Sequence, residues 1–129
     1  MRIVTATAAV AVTMVLLDLL FLGVLAKGFF DAQLGALRAQ ETVLVAAALF
    51  YLQYVAMIVG FAVLPARTIR VACLRGLGIG WLAYATFEFT SWAVIEGWPA
   101  AMVPVDIAWG CVLTTVVAGV GRLAAGPPE

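Results

Sequence analysis

The chain contains no histidine, and only seven basic and seven acidic residues occur among its 129 residues. Histidine is the commonest metal ligand and the commonest general base in proteins, so its absence argues against haem, zinc and di-iron centres. The formal net charge is zero, which leaves no basic surface for a nucleic acid. No cofactor motif is present, and we expect no cofactor.

Hydrophobic residues make up 66% of the chain, and charged residues make up only 11%. A soluble domain has about 45–50% apolar and about 25% charged residues, so this composition indicates a membrane protein. Four apolar segments are each long enough to cross a bilayer, which takes roughly 20 residues. We predict an all-α, single membrane domain over residues 1–129, a bundle of four transmembrane helices at 3–26, 43–64, 71–94 and 101–121.

Basic residues near the ends of these segments predict the orientation of the bundle. Only Lys27 and Arg38 flank one side, and the opposite side carries Arg2, Arg67, Arg70, Arg75 and Arg122. Because cytoplasmic loops carry the excess of lysine and arginine, both termini are expected in the cytoplasm. The loop at 29–41 then lies outside, and its apolar spacing predicts a short interfacial helix, either a lid, a partner surface or a simple connector.

Three acids, Asp18, Glu88 and Asp106, lie inside the predicted spans. At 1.5 Å per residue, all three fall roughly 8–12 Å below the outer surface. A charged side chain at the bilayer centre costs about 2.5–3.5 kcal/mol on insertion scales. Three neighbouring acids must therefore share protons or be neutralised by a cation.

We accordingly predict an acidic pocket near the outer leaflet that binds or transports a cation, a proton or an amine-bearing small molecule. The pattern does not identify a metal, although carboxylate and amide oxygens suit hard cations. Aromatic faces near the acids also suit an organic or small amphipathic cation. The candidate ligand- or cation-binding residues are Asp18, Glu88, Asp106, Gln53, Tyr84 and Trp109.

Three other interpretations remain open. The acids can be protonated and simply hydrogen-bond between helices. The chain can be an accessory subunit of a larger membrane complex, since its small-residue ridges suit helix packing. It can also be a lipid-modifying enzyme with carboxyl groups as acid and base, but no nucleophile motif is present, which favours a non-enzymatic role. The lipid bilayer is the expected environment, and so thin a bundle suits assembly into a homo-oligomer.

Four stretches resemble an uncharacterised family of bacterial membrane proteins, domain of unknown function 2177. They are LDLLFLGVLAKGFF at 17–30, YLQYVAMIVGFAVLPA at 51–66, YATFEFTSWAVIEGWP at 84–99 and VDIAWG at 105–110. The similarity covers nearly the whole chain. It implies a four-helix protein of the bacterial inner membrane and supplies no activity or substrate.

Overall fold

Helices make up the regular structure of the computed structural model, which describes residues 1–39 and 41–128. Two of them end in a π-helical turn, in which the hydrogen bonds span five residues. Helix α1 is Arg2–Leu20, continued by the π-helical segment Phe21–Leu25, and α2 is Lys27–Leu34, followed by a 3₁₀ turn at Gly35–Leu37. Helix α3 is Leu44–Met57, continued by the π-helical segment Ile58–Val63, α4 is Ile69–Val94 and α5 is Met102–Ala125.

The all-α class predicted from the sequence is confirmed, and the helix bounds lie within a few residues of those predicted. Within the described residues, three helices are long and apolar enough to cross a membrane: Arg2–Leu25, Leu44–Val63 and Met102–Ala125. Helix α4 has 26 residues but is not among them. It carries Arg70, Arg75 and Glu88, and its several glycines add little hydrophobicity.

Helix α5 is the centre of the packing. Helix α4 makes its largest contact with α5, and α1 and the π-helical end of α3 pack on α5 as well. The core therefore lies where these helices meet, and its side chains are mostly small or β-branched. It includes Ala6, Val10, Met14, Ile58, Val63, Leu113 and Val117. On α1 the buried face is Ala6, Val10, Met14 and Asp18, whereas Thr7 is exposed.

Glycines allow the backbones of α4 and α5 to approach closely. A Cβ atom at Gly80 would lie 2.5 Å from the carbonyl oxygen of Gly110, and one at Gly76 would lie 2.6 Å from that of Thr114. These positions are one turn apart, on the same ridge of α4 as the buried Ala72 and Glu88. The ridge of small residues therefore brings α4 against α5 along the length that positions Glu88.

Arginine side chains hold the chain together at the end of the bundle where both termini lie. The guanidinium of Arg122 is buried and donates to the carbonyl oxygens of Ala66 at 2.9 Å and Arg67 at 2.7 Å. Arg2 donates to the carbonyl of Gly126 at 2.8 Å. The N-terminus, the α3–α4 connection and the C-terminal end of α5 thus share one end of the molecule.

Helix α2 lies at the opposite end. Its Phe30 is buried against Ala26 and Met102, which lies at the start of α5. Asp31 pairs with Lys27 at 2.6 Å and with Arg38 at 3.0 Å. The Lys27 hydrogen bond holds the pKa of the Asp31 carboxyl below its usual range. A helix is therefore present in the loop where one is predicted, and its position in the membrane interface stays a prediction.

The close contact between α4 and α5 predicts that alanine destabilises the protein at one of two neighbouring glycines of α4 and does not at the other. Gly80→Ala places a methyl group against a backbone carbonyl and should lower the free energy of unfolding by about 1–3 kcal/mol. Gly78→Ala is the matched control, because nothing lies within 4 Å of its Cβ position, and it should be neutral or stabilising by up to about 1 kcal/mol. Unfolding of the purified protein in detergent measures both. Equal effects at the two positions would contradict the close approach.

Candidate functional site

Asp18 of α1 is held by one donor from each of two other helices. Its side chain is buried, and Oδ2 accepts a hydrogen bond of 2.5 Å from the hydroxyl of Tyr51 on α3. Oδ1 accepts a hydrogen bond of 3.1 Å from the indole Nε1 of Trp109 on α5. The ring of Phe21 stacks on Trp109 with 4.1 Å between centroids and so fixes the orientation of that donor. Asp18 therefore joins three helices.

Glu88 of α4 is fully buried, at 0% exposure. Its Oε1 accepts a hydrogen bond of 3.0 Å from Nε1 of Trp98, which lies in the connection between α4 and α5. Its Oε2 has no hydrogen-bond partner among the described residues. Gly97, just before Trp98, has a φ of 79°, a conformation that glycine tolerates and that helps to turn the indole back over α4.

Asp106 of α5 lies within hydrogen-bonding reach of Glu88 and close enough to Asp18 to interact with it electrostatically. Two ionised carboxylates cannot hydrogen-bond to each other, because both are acceptors only. A proton on either carboxyl group turns the same contact into a hydrogen bond. One proton between Glu88 and Asp106 would therefore let the two acids hydrogen-bond to each other.

Tyrosines occupy the space between Asp18 and this pair. The ring of Tyr84 packs over Gly110, where a side chain would overlap it. It lies near enough to interact electrostatically with both Asp18 and Asp106. Next to it, the hydroxyl of Tyr54 hydrogen-bonds to Oγ1 of Thr114 at 2.7 Å. The polar side chains of α1, α3, α4 and α5 thus form one layer across the bundle.

A cavity of about 280 Å³ opens beside this layer. Asp106 is its acidic wall, and the remaining lining is apolar or aromatic: Phe50, Ala83, Tyr84 and Phe87. Phe50 and Phe87 are 37% and 53% exposed on the outer surface of the bundle. The cavity is therefore reached sideways, from the surface that faces lipid if the helices span a membrane.

Five of the six residues singled out from the sequence come together in this layer: Asp18, Tyr84, Glu88, Asp106 and Trp109. Gln53 does not join them. It is exposed, and its Nε2 reaches only the carbonyl of Phe50 in its own helix, at 3.3 Å. The physical reason is helical geometry, because α3 turns Tyr51, Tyr54 and Ile58 inward and thereby turns Gln53 outward.

Sequence reasoning also missed two donors, Tyr51 and Trp98. The spacing of Tyr51 could have indicated that it faces inward. It precedes the buried Tyr54, Val55 and Ile58 by three, four and seven residues, which puts it on the same face of the helix. Trp98 resembles an ordinary residue of the aromatic belt at the end of a helix, and only the turn at Gly97 brings it to Glu88. Among the described residues, no group of three or more acids and cysteines is arranged to hold a metal ion.

Comparison with known proteins identifies a family and no function. The family described as "Predicted membrane protein (DUF2177)" matches residues 3–123, and the chain belongs to it. No curated protein matches the chain. No solved structure matches it either.

The hydrogen bond between Tyr51 and Asp18 predicts a coupling energy. Tyr51→Phe removes the donor and leaves a buried carboxyl oxygen unsatisfied, which should cost about 1–3 kcal/mol of unfolding free energy. In an Asp18→Leu background, the same change should cost almost nothing, because no acceptor remains. Unfolding in detergent of the two single variants and the double variant measures this. An equal cost of Tyr51→Phe in both backgrounds would show that the bond contributes nothing.

Proposed function

We propose that this protein is a small integral membrane protein that binds an amine-bearing cation at Glu88 and Asp106 and releases a proton in exchange. The observation that carries the proposal is a fully buried Glu88, with one oxygen lacking a donor, beside an Asp106 that lines an aromatic cavity. Transport of the same ligand would use the same site.

In its resting state, the proposed site holds one proton. Burial and the nearness of a second acid both disfavour two negative charges. One proton between Glu88 and Asp106 removes one charge and supplies a hydrogen bond between two acceptors. Trp98 donates to Oε1 of Glu88, so a negative charge on the pair is best accommodated there. Without ligand, the proposed site is thus a singly protonated pair of carboxyl groups that carries one negative charge.

In its occupied state, the proposed site holds an organic cation. Its ammonium group would meet Asp106, while its apolar part would meet Phe50, Tyr84 and Phe87. Aromatic faces attract a desolvated cation by about 2 kcal/mol. The ammonium charge would then replace the shared proton as the counter-charge. A cavity of about 280 Å³ suits a small molecule, and its lateral opening suits one that partitions into lipid.

We also propose how the helices lie in the membrane. Helix α4 is antiparallel to α5, similar in length at 26 against 24 residues, and in contact along it, so α4 would cross the membrane with α5 as a fourth span of one domain. Helix α2 would lie in the outer interface. The end with Arg2 and Arg122 would face the cytoplasm of a bacterial inner membrane, and the acids would lie nearer the outer leaflet.

A carbodiimide experiment tests the proposal. Dicyclohexylcarbodiimide is apolar and adds to protonated carboxyl groups, and mass spectrometry locates the adduct. The wild-type protein in lipid vesicles should be labelled at Glu88 or Asp106 at neutral pH. At a concentration about tenfold above its Kd, 2-phenylethylamine should slow the labelling about tenfold, whereas the uncharged 2-phenylethanol should not.

Matched variants separate the ligand site from the other acids. Glu88→Gln combined with Asp106→Asn should abolish the labelling, and Asp18→Asn should leave it in place, because Asp18 is held by its own two donors. Labelling at neither residue of the pair would overturn the shared proton. Equal protection by the amine and the alcohol would overturn the cation site.

A further inference from the structure

Gln53 lies on the outward face of α3, at the middle of a candidate membrane span. It is the tenth of the 20 residues of Leu44–Val63, about 14 Å from either end of the span. The side chain is exposed, and its described hydrogen bond, 3.3 Å long, runs from Nε2 to the carbonyl of Phe50 in the same helix. An amide group therefore points out of the bundle at mid-membrane depth.

Such an amide is costly in hydrocarbon. It has two N–H donors and a carbonyl oxygen with two lone pairs. The carbonyl of Phe50 is a poor partner, because the bond is long and the α-helix already uses its carbonyls. Lipid tails offer neither donors nor acceptors, and unsatisfied polar groups in the bilayer core cost several kcal/mol each. We therefore expect another polar group to cover Gln53 in the membrane.

We propose that this group is Gln53 of a second copy of the chain, in a two-fold dimer built on α3. An amide is self-complementary, since each Gln53 would donate its N–H to the carbonyl oxygen of the other. A two-fold axis brings the same residue of both copies together. The axis would be perpendicular to the membrane, because copies inserted by the same charge pattern have the same orientation.

The surroundings of Gln53 suit a second helix. Leu49 and Met57 lie one turn to either side on the same face and are 60% and 45% exposed. Ala46 and Gly60 extend this face with small, exposed residues that let two backbones approach. A groove of about 430 Å³ runs beside the glutamine, lined in part by Met57, Phe61 and Leu82. A side chain of the second copy can fill it.

The dimer surface and the proposed ligand site use different chemistry. The carboxyl pair lies between α4 and α5, whereas Gln53 on α3 faces outward. The dimer therefore does not rest on the proposed function. Phe50 lies less than one turn from Gln53 and forms part of the cavity rim, so a second copy would stand beside the cavity mouth.

Disulfide crosslinking in lipid vesicles locates the surface. The background carries Cys73→Ala and Cys111→Ala, which remove the two native thiols. In it, Leu49→Cys and Met57→Cys keep Gln53 and should each form a dimer on oxidation. Val12→Cys on α1 is the matched control, since it is 58% exposed and also lies near the middle of its span. It should stay monomeric.

Fluorescence energy transfer between labelled copies then measures the role of the amide. Gln53→Leu removes both reciprocal hydrogen bonds and should weaken dimerisation at least about five- to thirty-fold, the range that a single interhelical hydrogen bond of about 1–2 kcal/mol gives. Gln53→Asn should recover part of this loss. Unchanged dimerisation in Gln53→Leu, equal crosslinking at Val12→Cys, or a protein that stays monomeric at high protein-to-lipid ratio would each overturn the proposal.

Discussion

The close approach of α4 to α5 is the constraint on which the rest of the structure depends. It exists because Gly76 and Gly80 meet backbone carbonyls of α5, and because Gly110 leaves room for the ring of Tyr84. Side chains at these positions would overlap the neighbouring helix and force the two helices apart. The same approach brings Glu88 within hydrogen-bonding reach of Asp106. The packing of small residues and the pairing of the acids are therefore one feature of the fold.

Polar and apolar chemistry are separated along the bundle. The half near the arginines contains an apolar core with Val10, Val63 and Val117, closed at its end by guanidinium groups on backbone carbonyls. The other half contains the acids, the tyrosines and both tryptophan donors. Each buried carboxyl is stabilised by specific donors, Tyr51 and Trp109 for Asp18 and Trp98 for Glu88. Under the proposed function, the ligand would enter from this second half.

Much of the fold follows from the sequence, because length, hydropathy and the four-residue spacing of small side chains depend only on the helix itself. The common layer of Asp18, Glu88 and Asp106 in the bundle also follows from counting residues. The sequence does not predict how α3 is rotated about its axis, because its residues are nearly all apolar and give no clear inner face. The sequence therefore places Gln53 in the pocket inside the bundle and does not single out Tyr51 as a hydrogen-bond donor. Trp98 was missed since a loop conformation, set by Gly97, decides where its indole points.

The proposed site depends on one proton that Glu88 and Asp106 hold between them. Infrared spectroscopy tests it most directly, since the carbonyl stretch of a protonated carboxyl group is separate from the bands of carboxylates and amides. At neutral pH in lipid, the wild-type spectrum should contain this band. Glu88→Gln and Asp106→Asn should each remove or shift it, and Asp18→Asn should preserve it. A wild-type spectrum without the band, or a band that neither change at the pair affects, would contradict the account.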